Sequence, residues 1–189
     1  YKGLYSCNNK IFRIKKINKF RKYDFIFIGK FIKRKNLNLL LEVFKKLQKI
    51  YPNIKLNIIG GKKIKNKNTN VIYKGLLKYE EVSNQLKNSK CLVLPSVEEH
   101  WGVVVHEAIS CGCILILSNQ VGSKHEYLKG NGYDFDPKSS KELFNIMEKV
   151  ITTDKKKIQL MSKKSLKLSS QNSINSWISI IDKIILDLN

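Results

Sequence analysis

Acidic residues are scarce in the first half of this 189-residue chain: residues 1–95 hold 4 Asp and Glu against 24 Lys and Arg. Residues 96–189 hold 11 against 12, so the two halves carry +20 and +1 of the total +21. A cationic field of this size attracts polyanions, whether diphosphates, anionic lipid headgroups or nucleic acid. The same excess also fits compositional drift in a chain rich in Lys, Asn and Ile, and the sequence leaves these readings open. Nucleic acid is the least supported, because most aromatics lie in apolar strand or helix patterns and are not interleaved with lysines.

Other absences narrow the field further. No apolar run reaches the roughly 20 residues a membrane-spanning helix needs. The first 23 residues, basic and broken by Asn and Lys, read as carrying no signal peptide. Cys7, Cys91, Cys111 and Cys113 show neither C-x-x-C spacing nor a secreted disulfide framework, and the last three read as small buried residues of a reducing compartment. His106-Glu107 is not a zinc motif, since Ser110 stands where a second histidine would be needed. The chain has no G-x-G-x-x-G, Walker loop, nucleophile elbow or internal repeat. Neither a metal nor a cofactor is expected. A soluble cytoplasmic globular domain is, and its length suffices for one good core.

What is present is an alternation of strands and helices, which points to an α/β, doubly wound parallel sheet of Rossmann type. Residues 1–23 have no clean period and read as a lead-in or interdomain linker. Residues 24–153 read as the sheet domain and residues 154–189 as C-terminal helices packed on it. Asp24–Gly29 is a first strand, Lys30–Asn36 a basic loop, and Leu37–Tyr51 a helix with Leu40, Leu41, Phe44, Leu47 and Ile50 at helical spacing. Ile54–Gly60 and Val71–Gly75 are further strands, and Tyr79–Asn88 is a helix. Lys62–Asn70 is a polar, solvated loop. Gly132–Phe135, the helix Ser139–Ile151 with a serine N-cap and Glu142 as capping-box partner, and the helices Lys155–Leu168 and Asn172–Leu188 complete the chain. In the last helix Ile174, Trp177, Ile178, Ile181, Ile185 and Leu188 form a stripe that reads as core.

The chain is organised around residues 91–118, CLVLPSVEEHWGVVVHEAISCGCILILS. Two short apolar strands, Cys91–Leu94 and Cys113–Leu117, bracket an acidic loop and a short helix, Val103–Cys111, ended by Gly112: one βαβ crossover. Ligands of such units bind beyond the carboxyl ends of the strands, where Ser96–Gly102 lies and offers backbone N–H groups at Trp101, Gly102 and Val103. Glu99 and Glu107, about two helical turns apart, are expected to face one crevice, and ionised carboxylates accept hydrogen bonds from hydroxyls, as a polyol would offer.

Glu99-x7-Glu107 within this segment resembles the EX7E signature of retaining glycosyltransferases of the GT-B fold, family 4 or group 1. The family pattern, roughly P-S-x-x-E-x-[FW]-G-x-x-x-x-E-A-x-x-x-G, is met by Pro95, Ser96, Glu99, Trp101, Gly102, Glu107, Ala108 and Gly112. The resemblance covers nearly the whole chain but one of the two GT-B domains, the C-terminal one that takes the nucleotide sugar. It implies a glycosyltransferase (EC 2.4) whose N-terminal acceptor-binding domain is missing from this chain. It implies transfer to a saccharide or lipid-linked saccharide for polysaccharide biosynthesis, at the inner face of the membrane.

By the same resemblance, Gly29, Lys30 and Lys35 stand at the family's G-R-x(4)-K-G, whose cations grip the donor pyrophosphate. Lysine replaces the arginine, Asn36 replaces the second glycine, and Arg34 is a candidate compensator. Glu107 would hold ribose hydroxyls. Glu99, with His100 and the backbone of Trp101, Gly102 and Val103, would hold the hexose, and the turn Gly75–Lys78 would line the base pocket. Gly122 and Glu126 match a further family turn. Catalytic roles fall to Glu99, Lys30 and Lys35, with no metal required. A donor-binding module inactive by itself and a GT-B nucleotide-sugar epimerase are the alternatives.

Overall fold

In the computed structural model, which describes residues 6–14, 16–18, 20–62 and 68–188, six strands form one sheet. They are β1 (Tyr23–Ile28), β2 (Leu56–Ile59), β3 (Val71–Gly75), β4 (Ser89–Leu94), β5 (Ile114–Ser118) and β6 (Gly132–Phe135). Every pairing is parallel and the order is β3-β2-β1-β4-β5-β6, so the expected doubly wound sheet is present. The interior strands are mostly apolar on both faces because both faces are covered. Part of the expected loop, residues 63–67, lies outside the described residues.

Helices α1 (Leu37–Ile50) and α5 (Ser140–Thr152) cover one face, with α2 (Tyr79–Lys87) and α3 (Val103–Ser110) on the other. α4 (Lys124–Tyr127) is a single turn, and α6 (Lys155–Gln171) and α7 (Ile174–Asp187) close the chain. Period-2 alternation divides the strands: Phe25, Phe27, Ile58, Val93 and Ile116 point to α1 and α5, while Ile26, Ile59, Leu92, Leu94 and Leu115 point to α2 and α3. Ser139 caps α5 as expected, accepting from Glu142 N–H at 3.1 Å, but the Glu142 carboxylate returns to Asp136 N–H at 2.9 Å and not to the cap itself.

Two expectations are modified. The lead-in does more than connect: Cys7 and Phe12 are buried in the α2–α3 core, and Arg21 donates to the carbonyls of Ser89 and Cys111. No periodicity could mark it, because it adds single side chains to a core made by other elements. The α7 stripe is not core. Trp177, Ile178, Ile181, Ile185 and Leu188 are 38% to 81% exposed, since α7 lies outside the two layers that cover the sheet. Helical spacing marks an apolar face without saying what that face meets.

Candidate functional site

Strand order reverses direction between β1 and β4, so the loops after these two strands splay apart and open a crevice at the carboxyl edge. The β1 loop is basic and the β4 loop acidic, and the fold joins them. The Lys35 ammonium pairs with the Glu99 carboxylate, their side chains only 13% and 11% exposed. Val97 N–H donates to the Arg34 carbonyl at 2.9 Å, and Arg34 Nη1 donates to the Glu98 carbonyl at 3.3 Å. Arg34 therefore braces the neighbouring loop. Ser96 Oγ donates to Glu99 at 3.4 Å.

Asn36 explains how the basic loop turns without the usual glycine. It sits at φ 53°, ψ 34°, in the left-handed region asparagine tolerates best among residues with a side chain, and its Nδ2 donates to the Pro137 carbonyl at 3.0 Å. Lys30 is exposed at the start of the loop and has no ion-pair partner among the described residues. Gly29 N–H donates to Ile59 O, and Gly60 N–H to Gly75 O, so the ends of β1, β2 and β3 are tied together. Gly60 must be glycine: its φ is 114°, and a Cβ there would lie 2.0 Å from the Gly29 carbonyl oxygen.

The acidic loop is held from its far side by residues 121–123. Gly122 N–H donates to Glu99 O at 2.9 Å and Ser123 N–H to Trp101 O at 3.1 Å, and Val121 bridges Glu99. A Cβ on Gly122 would meet His100 O at 1.8 Å, so this close approach also demands glycine. Trp101 packs edge-on against Tyr127, ring centroids 6.2 Å apart. Gly102 caps α3 at φ 81°, and among the described residues its N–H and that of Val103 donate to nothing, leaving a short positive helix end open. His100 points outward, 88% exposed, with Nε2 3.2 Å from Glu98.

Glu107 lies elsewhere along the same edge. It lines a cavity of about 640 Å³ with Ile28, Leu77, Lys78, Tyr79 and Val82. Burial among these groups pushes its carboxyl from 4.5 up to about 7. Its neighbour His106 turns the other way, into the core. There its Nδ1 accepts from Cys7 N–H at 3.0 Å and its ring stacks on Tyr127 at 5.0 Å. The two expected glutamates are thus placed at two stations: Glu99 clasped to a lysine, and Glu107 part-buried beside the turn after β3.

Ile28 at the end of β1 and the turns at 77–79 and 121–123 contribute to this edge, and in the sequence only the glycine turn and the base-pocket turn stand out among them. The signal available for the rest was position, immediately after a strand. All four cysteines are buried and free, and burial raises each thiol, Cys113 to about 11 and Cys111 to about 12, as expected of packing residues.

The fold has solved counterparts. Sucrose-phosphate synthase from Thermosynechococcus elongatus superposes with a TM-score of 0.74 at 17% identity, over 88% of this chain and 46% of that one. The C-terminal domain of a glycosyl transferase group 1 family protein, LpcC, from Francisella tularensis gives 0.76 at 18% identity, over 89% of this chain and 100% of that domain. TarM gives 0.77 at 17% identity, over 97% of this chain and 37% of that one. At these identities the likeness is one of fold, and it is that of a GT-B C-terminal domain. The chain spans less than half of the synthase and of TarM. No curated protein sequence matches it. The sequence model described as Glycosyl transferases group 1 matches residues 9–167, which include all of the sheet domain and the greater part of α6. The chain belongs to the glycosyl transferases group 1 family.

Proposed function

We propose that this chain binds a nucleotide-diphosphate sugar along the carboxyl edge of the sheet and supports retaining transfer of its glycosyl group to a saccharide or lipid-linked saccharide. The observation that carries the reading is the pairing of two stations on one edge: a cationic clasp with an open helix end, and a cavity holding a part-buried carboxylate.

The diphosphate would lie between Lys30, Lys35 and the N–H groups of Gly102 and Val103. Lysine is a point donor with three N–H groups, so Lys35 can keep Glu99 while turning another N–H to a phosphate oxygen. As the glycosyl bond breaks, charge gathers on the departing phosphate, and cations held in place there favour the transition state over the bound substrate. In this reading lysines supply that charge and no metal ion is required. Glu99 would orient the sugar hydroxyls while paired with Lys35. Glu107 would accept from the ribose hydroxyls, and the apolar floor of Ile28, Leu77 and Val82 would take the base.

An acceptor must be presented from across the crevice, and we propose that a second domain does so. Alone, the chain would bind donor and transfer little. A nucleotide-sugar epimerase on the same fold remains the other reading of this edge. The same proposal puts the protein in the cytoplasm at the inner membrane face.

Thermal unfolding with UDP-, GDP- and ADP-sugars tests it. A ligand at about 100 times its Kd stabilises by about 2.7 kcal/mol, a rise of roughly 5–10 °C for a domain of this size. One member of the panel should produce that rise. Glu107→Ala should remove it while the circular dichroism spectrum stays unchanged. A rise retained by Glu107→Ala rejects the assignment.

A further inference from the structure

The second half of the chain is nearly neutral, yet its charge is unevenly placed. α6, Lys155–Gln171, carries six lysines and neither Asp nor Glu. Residues 96–189 hold 12 lysines and 11 acids, so without α6 they hold 6 and 11, a net of −5. A cationic helix in an otherwise acidic half is not the uniform drift that could explain the first half.

Packing separates the two faces of α6. Met161, Ser162, Ser165 and Ser169 are buried, with Ser165 Oγ donating to the Cys113 carbonyl at 2.7 Å and accepting from Asn131 Nδ2 at 3.1 Å. Small hydroxyls let the helix sit close to β5 and α3. The outer face then holds Lys157, Leu160, Lys164 and Lys167 at spacings of three and four, one stripe of an α-helix about 25 Å long. Each of these lysines is exposed and has no ion-pair partner among the described residues. Leu160, at the centre of the stripe, is 59% exposed. Beside it a cavity of about 630 Å³ opens between β6, α5 and α6. Lys149 reaches into the same region, its ammonium 4.7 Å from the centre of the Tyr133 ring.

We propose that this face of α6 docks on an anionic lipid bilayer. Lysines spaced along a helix meet negative headgroups while their stems stay in the apolar boundary, and an exposed leucine among them enters that boundary. The leucine decides between lipid and nucleic acid: against a phosphodiester backbone it would face only charge and water, and no row of stacking aromatics accompanies the lysines. The geometry also suits a protein that works while held. The cavity touches Gly130, Gly132 and Tyr133, at the amino end of the edge strand β6, whereas the crevice lies at the carboxyl ends of β1 and β4. A bilayer on α6 leaves the crevice open. The inference does not depend on what the crevice binds.

The test uses the whole chain and vesicles of phosphatidylcholine with or without phosphatidylglycerol. Lys157, Lys164 and Lys167 are replaced together by Gln in one variant. In a control the exposed Lys45, Lys46 and Lys49 of α1 are replaced instead, removing the same charge from the other half. The α6 variant should lose at least about tenfold in affinity for the anionic vesicles, the control no more than about twofold, and neutral vesicles should not bind. Leu160→Ser should weaken vesicle binding several-fold while leaving any binding of single-stranded DNA unchanged. Equal losses in the two lysine variants mean that net charge alone is at work and overturn the proposal. So does a Leu160→Ser protein that binds vesicles as the parent does, or DNA binding that survives vesicle competition and is lost only in the α6 variant. Unfolding curves for every variant confirm that these exposed substitutions leave the fold intact.

Discussion

The two faces of the sheet are built by different physics. On the α1–α5 side the contacts are aliphatic and aromatic: Phe25, Phe27, Leu40, Phe44, Leu47 and Met147 interlock with almost no polar atom among them. On the α2–α3 side the apolar layer is threaded by a hydrogen-bonded group. Cys7 N–H donates to His106 Nδ1, Ser110 Oγ donates to the His106 carbonyl at 2.7 Å, and Ser169 Oγ lies 3.4 Å from His106 Nε2. These residues come from the lead-in, α3 and α6, with Cys7 and Ser169 162 positions apart in a 189-residue chain. Apolar burial is non-directional and holds α1 against the sheet. The polar group is directional, and it fixes the roll of α3, the helix that aims Glu107 at the cavity and the Gly102 end at the crevice.

Substitutions can break this contrast, and the largest effect belongs to the apolar side. Phe44→Ala should cost about 3–5 kcal/mol in urea unfolding, because a fully buried ring leaves a cavity; at temperatures where it is still folded it should bind donor as the parent does. On the polar side, His106→Leu should cost about 1–3 kcal/mol by stranding the buried Cys7 N–H, and should speed amide exchange in the lead-in while α1 stays protected. If exchange rises equally on both faces, the polar group is not what holds that segment.

Glu107 gives a pH test. The fold keeps its carboxyl protonated up to about 7, whereas the unfolded chain releases that proton from about 4.5 upward. Stability should therefore fall as pH rises through that window and level off above it, by at most about 3 kcal/mol. Glu107→Gln should flatten that slope and be more stable than the parent at pH 8. Donor binding through an ionised Glu107 should run the other way and strengthen as pH rises through about 7. The smallest effect is expected at Lys46, whose exposed pair with Glu42 on α1 should be worth about 0.3–0.5 kcal/mol.

Much of the fold was legible because it is written in local pattern. Apolar runs marked β1, β2, β4 and β5 within one or two residues, helical spacing marked α1, and a serine N-cap with its glutamate marked α5. The glycines after the strands marked where the chain had to turn. The candidate site was legible only as residue types. Glu99, Glu107, Lys30, Lys35 and Gly102 could be named from their match to the family pattern, but their surroundings could not be. That Lys35 closes on Glu99 and that Arg34 turns to Glu98 depend on bringing together residues 64 positions apart, and Asn36 in its left-handed turn bonds Pro137, 101 positions away.

The contrast is sharpest at three helices. The stripes of α1 and α7 have the same helical spacing, and one is core while the other is exposed; α6 hides serines and shows lysines. Sequence by itself determined which segments would be strands and helices, because that choice rests on neighbours along the chain and on the burial each segment needs. Tertiary structure decided which apolar face met a partner, which carboxylate was clasped and which was desolvated. Those outcomes depend on the dielectric and the groups supplied by distant segments, and no single stretch of sequence contains them.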